Sequence, residues 1–230
     1  MSVDFRLVRE ERWEGRLLTA AAASLAEQQR TRPEGLHVTD LVSPLRAYWR
    51  ITVPKEPSSR EVGLYVIGHQ LHEMVARLAG WTVPEPAWHE EVGVWYSLDA
   101  RLEDGTPVEI KTSRALWQPR DASDGLGLYL RQLLMYMALT EQPRGLLVVW
   151  YIMLRDTDGK TTPRPLVWSV HVEPSTLPLI RQAMREMADH LRRAIEDRDP
   201  SDLPLCEDWM CETCPWWHDC QPPGRYEALI

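Results

Sequence analysis

The sequence has one phenylalanine, four cysteines, no internal repeat and no apolar run longer than Gly145 to Leu154. That run is about half of the roughly 20 residues a membrane helix requires, so it is predicted to be a buried strand. The opening stretch MSVDFRLVREERWEGR mixes charges and lacks the apolar core of a signal peptide. A cytoplasmic protein without membrane attachment is therefore expected, its cysteines reduced. Positive charge is also short: 26 Lys and Arg stand against 34 Asp and Glu, a net charge of -8. This argues against broad non-specific nucleic-acid binding, which needs a basic face to displace counterions. It leaves room for a small basic groove, or for a cation that bridges carboxylates to phosphate.

The chain has 230 residues, 44% of them hydrophobic and 26% charged, which excludes disorder, collagen and coiled coil. A chain of this length can bury about 70% of its unfolded surface and needs no disulfide staple. Tryptophan is abundant, at 11 residues. Most of these are predicted to be core, with a minority free to stack on bases or to shield a cofactor.

Helical spacing over Asp4 to Arg30 predicts a first helix, broken by Thr31 to Gly35. A short helix is predicted over His37 to Arg50, capped near Thr39 and Asp40. Another runs over Glu61 to Leu78 and stops at Gly80. From Trp88 the period drops to two, and a turn at Glu103 to Thr106 leads into PVEIKTS, the pattern of an antiparallel hairpin. Leu126 to Leu139 returns to helical period, Gly145 to Leu154 and Leu166 to Val172 read as partner strands across a turn at Asp156 to Gly159, and Pro174 to Arg198 reads as a long amphipathic helix. A linker, Asp199 to Pro204, precedes the cysteine-bearing tail, Leu205 to Ile230.

The hairpin carries the chemistry. Glu109 and Lys111 are two residues apart and share one strand face, while Ile110 turns the other way. If Asp99 faces the same side, two carboxylates converge and can hold a hard cation such as magnesium or manganese. Lys111 would then lie beside a metal-bound water and a phosphate, an arrangement suited to phosphodiester hydrolysis. The same residues also suit a solvated strand face with a surface ion pair. His72 can add a nitrogen ligand; His69 is the bystander of the two. Gln132 and Tyr136 lie four apart on one helix face and could bind phosphate oxygens or brace Lys111, or else divide into an exposed amide and a core ring.

Cys206, Cys211, Cys214 and Cys220 fall within fifteen residues as C-x4-C-x2-C-x5-C. In a reducing compartment such clustering points to a metal or an iron–sulfur cluster rather than disulfides. Structural zinc also uses four thiolates, although this tail has only one CxxC knuckle. Trp209, Trp216 and Trp217 are expected to cover whatever binds, with His218 an outside ligand candidate.

Taken together, Gly68-x-x-x-His72, Asp99, Glu109-x-Lys111 and Gln132-x-x-x-Tyr136 resemble the ordered motifs of the PD-(D/E)XK nuclease superfamily, in its RecB-like exonuclease branch. The likeness runs from about His37 to Cys220, and the cysteine tail makes the chain look most like the CRISPR-associated iron–sulfur nucleases. The resemblance implies an α/β fold, a restriction-endonuclease-like mixed sheet flanked by helices. It implies a helical segment over 1–60, a nuclease core over 61–198, and a tail over 199–230 packed on the first segment. His72, Asp99, Glu109 and the Ile110 carbonyl would ligate Mg2+ or Mn2+, Lys111 would be catalytic, and Gln132 and Tyr136 would support the site. Ser97-Leu98 stands where the family nominally has a proline.

The resemblance also favours a 4Fe-4S cluster on Cys206, Cys211, Cys214 and Cys220, with Zn2+ the alternative. In that branch the first cysteine usually comes from an N-terminal segment, where this chain has Ser43; Cys206 would take over. The expected activity is a metal-dependent DNA exonuclease on single-stranded ends, in CRISPR spacer acquisition or repair, with integrase or recombination proteins as partners. The alternative is a non-catalytic nucleic-acid-binding or scaffold subunit, against which the intact Glu109-x-Lys111 argues.

Overall fold

The computed structural model describes residues 11–116, 126–155, 158–212 and 214–220. The chain divides into two compact units, one of Met1–Pro33 with Glu56–Gln70, the other of Glu34–Lys55 with Leu71–Ile230. The described part of the first unit contains α1 (Glu11–Thr31) and the opening turns of α4 (Ser59–Ala79). The start predicted for α1, residues 4–10, lies outside the described residues. In α4 the Tyr65 ring stacks on His69 at 5.7 Å.

In the second unit the helix predicted over His37 to Arg50 is two helices, α2 (Val38–Val42) and α3 (Pro44–Thr52). Pro44 causes the break. It suits the first turn of α3, but its ring drives the preceding Ser43 out of helical geometry, to φ -141 and ψ 75. The Asp40 carboxylate accepts the His37 N–H at 2.9 Å and the Arg50 guanidinium at 2.7 Å, which fixes the start of α2.

The strand expected to begin at Trp88 is also interrupted. β1 (Ala87–His89) and β2 (Val94–Tyr96) close on each other through a turn at Gly93, φ +70, as a separate antiparallel pair. Only β3 (Ala100–Arg101) pairs antiparallel with β4 (Pro107–Ser113). The long partner of β4 is β5 (Arg144–Tyr151), parallel to it from Val108↔Leu146 to Ser113↔Tyr151. β6 (Arg164–His171) runs antiparallel to β5, giving a mixed sheet of order β3-β4-β5-β6. Parallel neighbours need a crossover, and α5 (Gly127–Leu139) lies in that connection.

Each face of the sheet is covered. Leu133 and Met137 of α5 pack with Leu147, Val149 and Tyr151 of β5. Val75 and Ala76, on the last turns of α4, pack with Val108, Ile110 and Val148. The last long helix, α6 (Leu177–Asp197), buries Met184, Ala188 and Leu191 in a cluster with α2, α3 and the C-terminal half of α5. Gly145 sets the approach of α5 to the sheet: a Cβ there would lie 2.8 Å from Met137 Sδ and 2.9 Å from Leu133 Cδ1. Gly145→Ala is accordingly expected to cost about 1–3 kcal/mol by overpacking, measured as a lowered thermal midpoint; an unchanged midpoint would show that both side chains repack freely.

Candidate active site and cysteine cavity

The candidate site lies where β3 stops short and leaves one edge of β4 open. In the Ala100↔Val108 register the Ile110 N–H would meet residue 98, two pairs beyond the end of β3. It donates instead to Asp99 Oδ2 at 2.7 Å, so a side chain ends the ladder. Since the N–H and C=O of one strand residue point the same way, the Ile110 carbonyl faces this edge too. Asp99 Oδ1 lies 3.2 Å from His72 Nδ1, and the two side chains keep 22% and 23% exposure. His72, Val75 and Ala76 share one face of α4 by helical spacing, so the packing of that face on the sheet brings the imidazole to Asp99.

Glu109 and Lys111 lie on the other face of β4, beside Leu147 and Val149 in register and beneath α5. Glu109 has 0% exposure, and the Lys111 ammonium ion-pairs with its Oε1. Lys111 is the donor at Oε1, and Oε2 has no hydrogen-bond donor among the described residues. A buried carboxylate oxygen without a donor is costly, which makes it a ready acceptor for a cation. Burial pushes the Glu109 carboxyl up to about 8; Lys111 opposes the shift and the Asp99 charge adds to it. Burial also raises the Asp99 carboxyl, but the His72 hydrogen bond, the Lys111 charge and the Ile110 N–H outweigh it and hold it below the usual carboxylate range. For Lys111, burial favours the neutral amine, yet Glu109 and Asp99 override it and keep the ammonium above its ordinary value.

The polar side chains thus meet two by two, His72 with Asp99 and Glu109 with Lys111. Among the described residues no group of three His, Cys, Asp or Glu side chains is placed to hold a metal ion. In the metal-free chain Lys111 stands against Glu109, and Asp99 is engaged by the imidazole and a backbone N–H. The donor set itself, two carboxylates, one imidazole and one carbonyl, fits a hard cation.

On α5, Gln132 donates to the Tyr136 hydroxyl at 3.0 Å. Both are buried, and Tyr136 belongs to the cluster shared with α2, α3 and α6. The α5 side chain that stands over Lys111 is Tyr129, with Nζ 6.0 Å from the ring centroid. Sequence reasoning missed it. The available signal was its place one turn before Gln132 and two before Tyr136.

The tail has its own site. Cys206, Cys211, Cys214 and Cys220 are not disulfide-bonded and line one cavity with Leu45, Arg46 and Trp49 of α3, Met210 and Trp217. Its empty volume is about 380 Å³, part of it open to solvent. The cysteines are carried by two short helices, α7 (Asp208–Cys211) and α8 (Trp217–Cys220), and the chain beside them. Trp216 Nε1 donates to the Val53 carbonyl at 2.7 Å, and Lys55 reaches the Pro215 carbonyl at 2.8 Å and Asp219 at 2.5 Å. Ser43 contacts Met210 Sδ at 3.6 Å and also hydrogen-bonds Cys206. Burial raises the Cys206 and Cys220 thiols; the Ser43 hydroxyl and Arg46 N–H pull Cys206 down, and the Trp49 indole does so for Cys220. Trp216 is buried and Trp217 lines the cavity, but Trp209 is 59% exposed and His218 is exposed; neither borders the cavity.

No family model and no curated protein matches this sequence. Among solved structures, the chain is similar to the crystal structure of SSO0001, at 20% identity and a TM-score of 0.57, over 89% of this chain and 94% of that one. It is also similar to a phage related exonuclease from Haemophilus somnus 129PT, at 10% identity and a TM-score of 0.50, over 75% of this chain and all of the other. The fold is restriction-endonuclease-like, a mixed sheet flanked by helices. No helix among the described residues is long and apolar enough to cross a membrane.

Proposed function

We propose that this chain is a metal-dependent DNA exonuclease that hydrolyses phosphodiester bonds at single-stranded ends, in CRISPR spacer acquisition or DNA repair. The observation that carries the reading is the Glu109 carboxylate, fully buried with Oε2 lacking a hydrogen-bond partner, paired with Lys111 at Oε1 and close enough to Asp99 for their charges to interact. Burying such a group serves no stability purpose. The phage related exonuclease, similar in fold, has the activity that this chemistry supports.

Asp99, Glu109, His72 and the Ile110 carbonyl would hold Mg2+ or Mn2+, which when bound supplies a water of lowered pKa and neutralises phosphate charge. Asp99 is kept ionised by His72 and the Ile110 N–H, so it offers full negative charge at neutral pH. Lys111 stays protonated and brings its ammonium to a phosphate oxygen. Gln132 and Tyr136 support the helix that covers the site.

The four thiols fit a bound group, for which we favour a 4Fe-4S cluster over Zn2+. The group would pin the tail, 199–220 of the described chain, to α2 and α3. DNA is the proposed substrate, with integrase or recombination proteins as partners.

The test is cleavage of end-labelled single-stranded DNA with manganese, wild type against Asp99→Ala. Loss in the variant is expected. Equal activity would overturn the catalytic assignment, and DNA bound tightly but uncut by both proteins would favour the scaffold reading.

A further inference from the structure

We propose that Tyr129 is the positioning residue for Lys111: its ring holds the ammonium over the site when Glu109 turns its charge to a cation. This rests on the reading of the site as phosphodiester-hydrolysing. Lysine has four rotatable bonds, and among the described residues the ion pair that anchors the tip of Lys111 is the one to Glu109. That anchor is the carboxylate proposed to take a metal ion, so the ammonium needs a second hold. The face of an aromatic ring attracts a cation within about 6 Å of its centroid. It neither neutralises the ammonium nor competes as a metal ligand.

The Tyr129 ring lies at that distance, 6.0 Å from Nζ. Tyr129 is half-buried and belongs to the same row of α5 as Leu133 and Met137, which face the sheet. The close contact of those two residues with Gly145 fixes the helix above β5, and β5 is in register with Lys111 through Val149. The ring is therefore held by the core, as a positioning group must be. Gln132 donates to the Tyr136 hydroxyl, and Tyr129 is the α5 ring shown against Lys111.

The test compares Tyr129→Phe, Tyr129→Leu and Tyr129→Met. In the substrate-free protein, NMR of the Lys111 Hε and Cε resonances is expected to show an upfield ring-current shift in wild type and Tyr129→Phe, lost in Tyr129→Leu and Tyr129→Met. In the cleavage assay the two aliphatic variants are expected to lose about tenfold in kcat, the scale of a contact of this kind, with KM unchanged; Tyr129→Phe should recover most of that rate. Methionine keeps side-chain bulk, so it answers for the leucine variant should that fail to fold. Resonances that do not move, or aliphatic variants with wild-type kcat, would overturn the proposal. Wild type that cuts no DNA would overturn the hydrolase reading instead, and the resonances would still decide whether the ring holds Lys111.

Discussion

Glu109→Gln is expected to lose at least about a hundredfold in DNA cleavage, while the metal-free variant becomes more stable than wild type at alkaline pH. The two effects share one cause. In the folded chain the Glu109 carboxyl is pushed up to about 8, from an ordinary value of 4.5. Between those values the folded protein keeps a proton that the unfolded chain has released. The stability this group contributes is thus full below about pH 4.5 and is lost as pH rises through about 8. The steepest loss is about 1.4 kcal/mol per pH unit, or roughly 3–6 °C in the thermal midpoint for a chain of this size.

Glutamine does not titrate, so its midpoint should fall less steeply with pH across that window, measured in chelator to keep metal from competing with the proton. Parallel slopes for the two proteins would sink the argument. Lys111→Ala should be inactive as well, but with the opposite effect on stability. Above about pH 8, where Glu109 is ionised, it strips the buried carboxylate of its counter-charge, a change that costs about 3–5 kcal/mol where a buried pair is broken. Two inactive variants that move stability in opposite directions separate the role of the site from damage to the fold.

Why these charges could be found in the sequence, but not their arrangement, follows from what periodicity encodes. Helix α4 was legible almost to the residue because its apolar spacing is regular and Gly80, at φ +69, ends it. A period of two marks a strand but not its neighbour, so nothing in PVEIKTS told that its long partner would be the parallel β5 rather than the preceding segment. Glu109 looked like half of a solvated ion pair because strand alternation assumes one wet face. Here α5 covers that face and both Glu109 and Ile110 are fully buried. Asp99 was placed on a strand, yet its carboxylate replaces the strand by taking the Ile110 N–H. On α5, thirteen residues with little polar interruption blur the helical phase, so the row with Tyr129 and the row with Gln132 could not be assigned to their neighbours. The single helix expected over His37 to Arg50 passed over the break at Ser43, although Pro44 was the signal for it.

Anaerobically purified protein is expected to be brown, with broad absorbance near about 400 nm, and removal of the bound group should free the tail while sparing the sheet. Helices α7 and α8 have four residues each, far below the roughly 12–15 at which an isolated helix becomes marginal. Without a bound group they are held by a few contacts, chiefly Trp216 to Val53, Lys55 to Pro215 and Asp219, and the packing around Met210. The central strands depend on none of these. Chelation, or Cys211→Ser, should therefore lower amide-exchange protection in α7 and α8 by at least about a hundredfold, a local loss of about 3 kcal/mol, and leave β5 unchanged. Uptake should strengthen as pH rises, because burial holds the Cys206 and Cys220 thiols above their ordinary values and binding must displace their protons. Colourless protein with one zinc per chain would overturn the iron–sulfur assignment but keep the clip. Protection that survives removal of every bound ion would overturn the clip itself, and would mean that the tail is fastened by its protein contacts alone.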